Sequence, residues 1–273
     1  MTAFATSSKR SILICKSWVD VARVDPMLRL RGLSLRYPNG KLALSDFDLT
    51  IAAGEFVVVL GGNGSGKTTL LRCITRTVKP SAGEIRLGEV DLCALEGEKL
   101  RRARLALAMI WQHPSLVRRR SVLTNVATGA LGRNFTLRTA LGGLPGAELD
   151  AARSYLAEVG LANLAEQRAG TLSGGQAQRV AIARALAQRP KVLLADEPVA
   201  SLDPEAAEDI MRLLQRLARA ERIAVICVLH QVELAYAYAD RVIGIKDGRM
   251  VFDLPRGQIS REAVHQLYLP EAA

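Results

Sequence analysis

Aromatic residues make up only 4% of the 273-residue chain, and there are three histidines. That scarcity argues against the interleaved basic and aromatic surfaces on which single-stranded nucleic acid stacks. No apolar stretch reaches the roughly eighteen residues of a membrane span. The segment after Lys9-Arg10 breaks at Lys16, too soon for a secretory signal, so the chain is expected to stay in the cytoplasm. The four cysteines, Cys15, Cys73, Cys93 and Cys227, form no C-x-x-C pair and no metal-ligand spacing, which leaves reduced, mostly buried thiols as the expectation. Acids are short as well: 27 aspartates and glutamates face 37 lysines and arginines, a net charge of +10. Such a balance favours acidic partners, whether nucleic acid, an anionic membrane surface or a nucleotide. Clusters such as Arg101-Arg102-Ala103-Arg104 read as solvated helix faces, so nucleic acid is not the expected partner.

What the chain does have is apolar mass, 49% of its residues, enough for one large core or two closely packed subdomains. It also has glycine in a telling place. The run Gly61-Gly62-Asn63-Gly64-Ser65-Gly66-Lys67-Thr68 has the spacing G-x-x-x-x-G-K-[ST] and follows an apolar stretch, 56–60, that reads as a buried strand. Leu70, Leu71 and Ile74 then recur at helical spacing. Glycine lets a backbone curl around an oxyanion and present successive N–H groups at the positive end of a helix, while Lys67 adds a point charge. Thr68 offers a hydroxyl suited to magnesium. The chain is therefore expected to bind a nucleoside triphosphate.

Residues 1–26 lack a sustained period and end at Asp25-Pro26, as a loosely attached extension would. Alternation in Leu28-Arg29-Leu30-Arg31 and Leu33-Ser34-Leu35-Arg36, then across 47–51, predicts antiparallel strands with one wet face, and Gly83-Glu84-Ile85-Arg86-Leu87-Gly88 continues that layer. From about 96 to 188 the pattern turns helical, interrupted by the loop Gly142-Gly143-Leu144-Pro145-Gly146, and predicts a helical insertion in a nucleotide-binding core. Two short apolar runs, 192–195 and 223–229, flank a helical stretch at 205–220, the strand, helix, strand rhythm of a parallel sheet. Asp247-Gly248 predicts a hairpin turn. The expected fold is α/β, a mixed-sheet core with an antiparallel β-subdomain and a helical insertion. It spans 27–255 without internal repeat, and a helical tail runs from 256 to 273.

Two further segments carry chemistry. The run Val192-Leu193-Leu194-Ala195-Asp196-Glu197 is an apolar strand ending in paired carboxylates, where one acid can orient magnesium and the other activate water. His230 likewise follows an apolar strand, and both ends fall where open parallel sheets place ligands. Leu172-Ser173-Gly174-Gly175-Gln176 opens a helix with serine and bare backbone, a second candidate anion site.

With these residues in hand, the chain resembles the ATP-binding subunits of ABC transporters, which are P-loop NTPases. Residues 61–68 match that family's Walker A loop, 172–176 its signature and 192–197 its Walker B strand, and the likeness covers about 27–255. It extends to Gln112 as the Q-loop residue, to Ser201-Leu202-Asp203 as the D-loop and to His230 as the switch histidine. The resemblance implies ATP and Mg2+ as bound species. It implies that Gly61, Gly62, Asn63, Gly64, Ser65, Gly66, Lys67, Thr68 and Thr69 cradle the phosphates, that Tyr37 stacks on adenine, and that Thr68, Gln112 and Asp196 serve the metal. Glu197 would polarise the attacking water, with Gln112 and His230 sensing the γ-phosphate. Ser173, Gly174, Gly175, Gln176 and Asp203 would complete the site of a second chain packed head to tail. Gly62 stands where the family most often has proline, and Trp111 where it has phenylalanine; both changes look tolerable.

Several stretches are similar in wording to the ATPases of phosphonate importers: residues 116–126, 129–133, 196–204 and 229–235. The implied assembly is a homodimer on the cytoplasmic face of the inner membrane, peripheral to it. It would be joined to transmembrane permease subunits and, through them, to a periplasmic or extracellular substrate-binding protein. The importer of another small solute, a nucleotide-binding adaptor in phosphorus metabolism, and a soluble ATPase of DNA repair or translation are the alternatives. The last usually carries tandem cassettes or long coiled insertions, and this chain has neither.

Overall fold

The computed structural model describes residues 26–133 and 143–269. Most of the expected N-terminal extension, Cys15, Gly142 of the glycine loop and the last four residues of the tail therefore lie outside the described residues. Strand β1 (Leu28–Arg36) shows how side-chain period becomes structure. Leu28 and Leu30 are buried, and so are Leu33 and Leu35; the alternation slips by one residue at Gly32, whose φ of 55° takes up the resulting register shift against β2 (Leu42–Ile51). The Asp48 carboxylate accepts from the Gly32 N–H and fixes the bulge.

Strand β3 (Phe56–Leu60) is buried on both faces and consequently apolar throughout. It leads into helix α1 (Lys67–Ile74). Strands β4 (Ala82–Leu87) and β5 (Val90–Asp91) extend the antiparallel layer to the order β2-β1-β4-β5. After α2 (Gly97–Arg104) comes a strand, β6 (Leu107–Ile110), where the sequence pattern predicts helix. Its residues are Leu, Ala, Met and Ile, three of them strong helix formers; pairing in parallel with a buried strand overrides that preference.

The helical part proper comprises α3 (Val122–Ala127), α4 (Gly146–Glu158) and α5 (Gly174–Ala187). The core then resumes with β7 (Val192–Asp196), α6 (Pro204–Ala220), β8 (Ala224–Val228), α7 (Val232–Tyr238) and the hairpin β9 (Arg241–Lys246) and β10 (Arg249–Pro255). Helix α8 (Arg261–Tyr268) closes the described chain. Helix α6 shows the usual signals in order: Asp203 caps the Ala206 N–H, Pro204 opens the first turn, and Ala207, Ile210, Met211, Leu214 and Leu217 form one buried stripe.

The second sheet has the order β10-β9-β3-β8-β7-β6, parallel except for β10. Each of its faces has a separate core. Val57 and Val59 of β3 join α1 and the antiparallel layer, while Phe56, Val58 and Leu60 join the side of α4, α5 and α6. Four parallel strands, β3, β8, β7 and β6, thus end side by side along one edge. No described helix is long and apolar enough to cross a membrane.

Candidate functional site

Four of the segments singled out by sequence reach that edge because each lies at or just beyond the end of one of the four strands. The glycine loop follows β3, His230 comes two residues after β8, Asp196 ends β7 with Glu197 next, and Gln112 lies two residues beyond β6. Ligands of open parallel sheets sit beyond such carboxyl ends.

Within the loop, Lys67 is buried, and its Nζ donates to the carbonyls of Gly61 and Gly62 at 2.8 Å each. Burial lowers its pKa from the ordinary lysine value, against the opposing pull of Glu197 and Asp196. The Ser65 N–H donates to the Gly62 carbonyl at 3.3 Å, and the Gly248 N–H of the β9–β10 turn donates to the Ser65 carbonyl at 2.9 Å. Ser65 Oγ is buried and unpaired. Two glycines are mandatory for space. A Cβ on Gly61 would collide with the Ile245 carbonyl, and one on Gly66, where φ is 111°, would lie 2.6 Å from the Ala43 carbonyl. Gly66→Ala should therefore cost about 2 kcal/mol or more, read as a lower urea midpoint, and should abolish nucleotide binding.

Beside the loop, the Thr68 hydroxyl donates to Asp196 Oδ1 at 3.1 Å. Asp196 is buried, and that burial raises its pKa while the Thr68 hydrogen bond opposes the rise. Glu197 takes φ 51°, a left-handed conformation that a side chain disfavours, and its N–H donates to the Val228 carbonyl at 3.1 Å. Its backbone is thereby pinned to β8, and Glu197 Oε1 meets His230 Nε2 at 2.6 Å. The base candidate and the histidine form one unit.

Tyr37 is half-buried against the antiparallel layer, with its hydroxyl 3.3 Å from Thr69 Oγ1. Asn63, Gly64 and Gln112 are exposed. The signature residues are elsewhere. Ser173 accepts from the Gln176 N–H while the Gln176 side chain accepts from the Ser173 N–H, a reciprocal cap on α5. The serine oxygen accepts within the helix end, which leaves its O–H, with backbone N–H groups, to donate to an anion. Gly174 lies against Leu202 and Gly175 against Ala206, so the signature adjoins the segment of Asp203, whose carboxylate caps α6. Among the described residues, no hydrogen bond or ion pair joins 61–69 to 173–176.

Sequence reasoning passed over several residues that hold this arrangement. Gln178, buried on α5, donates to the Trp111 carbonyl at 3.4 Å next to Gln112. Buried Asn125 clasps Val117 in both directions, its Oδ1 accepting at 2.7 Å and its Nδ2 donating at 3.2 Å, and so closes the loop after Gln112. Only the burial of a polar residue on an otherwise apolar face could have flagged them.

The comparisons with known proteins agree on one family. Residues 44–200 match the family model described as ABC transporter. The chain is 43% identical over 242 residues to the phosphonates import ATP-binding protein PhnC 2 of Halalkalibacterium halodurans, covering 89% of this chain and 99% of that protein. It is 46% identical over 246 residues to the phosphite import ATP-binding protein PxtA of Stutzerimonas stutzeri, covering 89% and 88%. A solved dimeric ATP-binding cassette in a post-hydrolysis state, bound to ADP and Pi, superposes with a TM-score of 0.72 at 33% identity, covering 84% of this chain and 99% of that one.

Proposed function

The chain belongs to the ATP-binding proteins of ABC transporters, and from that premise we propose that it hydrolyses ATP to energise an importer of phosphonates or a related phosphorus oxyanion such as phosphite. The observation that carries the catalytic half is the convergence of the glycine loop, the acid pair, His230 and Gln112 on one sheet edge. The similarity to phosphonate and phosphite import proteins over 89% of the chain supports the substrate class.

In this reading residues 61–69 wrap the phosphates, Tyr37 faces adenine, and Lys67 exchanges its two carbonyl partners for phosphate oxygens. The buried, unpaired Ser65 hydroxyl is a donor available to the same anion. Thr68 and Asp196 form a hard-oxygen pair of the kind magnesium takes, Gln112 being a further ligand from beyond β6. Among the described residues no cluster of three acids, histidines or cysteines could cage a metal alone, which suits an ion completed by phosphate and water. When bound, magnesium would neutralise charge on the phosphates. Glu197 would take the proton of the attacking water, oriented by the 2.6 Å contact with His230.

The similarity to a solved dimeric cassette supports a composite site. Two copies would pack head to tail, so that Ser173, Gly174, Gly175, Gln176 and Asp203 of each close over the ATP held by the other. ABC cassettes of this kind form dimers. The homodimer would sit beneath transmembrane permease subunits on the cytoplasmic membrane face, with a substrate-binding protein on the far side. Uptake of labelled methylphosphonate and phosphite in cells lacking this gene is the test. The natural sequence should restore uptake of at least one, and Glu197→Gln should restore neither. Equal uptake in all strains would remove the substrate assignment and leave the ATPase.

A further inference from the structure

The phosphate loop is braced by a distant part of the chain. Strands β9 and β10 are joined at Asp247 and Gly248, whose φ values of 49° and 75° are those of a two-residue hairpin turn with both central residues left-handed. This hairpin touches the loop at both ends. The Ile245 carbonyl abuts Gly61, and the Gly248 N–H donates to the Ser65 carbonyl at 2.9 Å. On its other side the turn is held by the antiparallel layer, where the Ser45 N–H of β2 donates to the Gly248 carbonyl, also at 2.9 Å. The Ala43 carbonyl is wedged between loop and turn: a Cβ on Gly66 would lie 2.6 Å from it, and one on Gly248 2.7 Å. Three stretches of backbone thus meet with no side chain between them. Residues 43–45 directly follow the tight turn that presents Tyr37, which is closed by the Tyr37 N–H donating to the Lys41 carbonyl.

We propose that Gly248 is a positioning residue: it fixes the layer bearing Tyr37 at a set distance from the phosphate loop, and so makes the site favour a nucleoside triphosphate over a bare triphosphate chain. The inference rests on the reading of 61–69 as the phosphate site and of Tyr37 as the adenine contact. ATP reaches both elements, whereas inorganic tripolyphosphate reaches the loop alone. A ligand that spans two elements gains affinity when their spacing is set before it arrives, because less is left to order. Tyr37 also meets α1 through its hydroxyl, 3.3 Å from Thr69 Oγ1, but a rotamer change releases that contact. The two bonds at Gly248 join backbone to backbone. Only glycine serves there. Any side chain would take a left-handed conformation, and its Cβ would also lie 2.9 Å from the Ala43 carbonyl carbon and 3.2 Å from the Leu44 Cα, backbone that cannot rotate aside. Gly248→Ala therefore drives the turn away from β2 and loosens both bonds.

The test is equilibrium binding of ATP and of inorganic tripolyphosphate, without magnesium so that neither is hydrolysed, to the full chain and its variants. Gly248→Ala should weaken ATP about tenfold, the upper worth of one neutral hydrogen bond, and tripolyphosphate by less than about threefold. Ser45→Pro should do the same. It deletes an N–H that β2, an edge strand, spends on Gly248, and it leaves turn and loop as they are. If Gly248→Ala does not fold, Ser45→Pro decides. Gly88→Ala, in the β4–β5 turn with φ 54° and open space where its Cβ would go, is the control for backbone strain and should bind both ligands like the natural chain. Lys67→Ala is the reference and should lose both. Equal losses of the two ligands in Gly248→Ala and Ser45→Pro, no loss of either, or the same selective loss in Gly88→Ala would each overturn the role of Gly248 and leave the ATP site standing. If Lys67→Ala binds both ligands normally, the ATP reading falls and this inference with it.

Discussion

Glu197→Gln should abolish steady-state ATP turnover, by a factor of about a hundred to ten thousand, while ATP still binds. The substitution changes charge and basicity at nearly constant shape. The left-handed backbone at residue 197 and its N–H bond to the Val228 carbonyl are independent of the side chain, so the group stays where it was. A glutamine can still meet His230, which keeps the pair together, but an amide cannot take a proton from water. Affinity should hold or rise. Asp196 and Glu197 stand beside a site meant for a triphosphate, and removing one negative charge relieves repulsion there. ATP should consequently accumulate on the protein, and with it the closed pair of chains. The measurements are phosphate release and the apparent mass with ATP and magnesium. Turnover within about tenfold of the natural chain would eliminate Glu197 as the base.

The legible part of this molecule is the part written in local period and local chemistry. Residues 56–60 are apolar without interruption because both faces of β3 are covered, and the glycine loop follows at once. The phase slip between Leu30 and Leu33 is visible as two alternating runs with Gly32 between them. Asp203-Pro204 announces α6. By contrast, Leu107–Ile110 carries a helical composition and is a strand only because β7 is there to receive it, a contact some 85 residues away in sequence. That error has a functional consequence. Without β6 there is no local reason for Gln112 to join the site, and its place there came from family resemblance alone. The sheet supplies the reason, since β6 runs parallel to β7 and releases its chain at the same edge.

The supports of the site were illegible for a related cause. Gln178 and Asn125 act through side-chain hydrogen bonds to backbone groups of the loop around Gln112, and a lone buried amide leaves no periodic trace; Gly248 is legible as a turn but not as the donor to the Ser65 carbonyl. The signature shows the opposite case. Its pentapeptide is conspicuous in sequence, yet in the structure Ser173 and Gln176 cap one another, and nothing in the same chain shows what the helix end is for. A motif whose proposed use lies on a second copy is easy to find and hard to interpret from one copy.

Lys67→Ala should raise the Kd for ATP about a hundredfold and leave the fold intact. The bound ammonium would make charge-assisted hydrogen bonds to phosphate, each worth about 1.5–3 kcal/mol, and one such loss already amounts to a factor of ten or more. A second contribution comes from the empty loop: the carbonyls of Gly61 and Gly62 lose their shared donor, so the glycine backbone must be ordered by the nucleotide itself. For stability the terms oppose. Burial disfavours the charged lysine, which lowers its pKa, so alanine removes that desolvation cost; the same change removes one of the cations that act on Asp196, with Arg72 remaining. The thermal midpoint of the nucleotide-free variant should accordingly move by only a few degrees. Lys67→Arg should not rescue binding. Its charge is kept, but a planar fork does not fit between two carbonyls that a compact ammonium bridges at 2.8 Å each. Nucleotide titration and thermal melting on the same samples separate these effects. Natural ATP affinity in Lys67→Ala would mean that the loop binds phosphate by backbone alone, and recovery in Lys67→Arg would mean that charge, not the shape of the ammonium, is what the site requires.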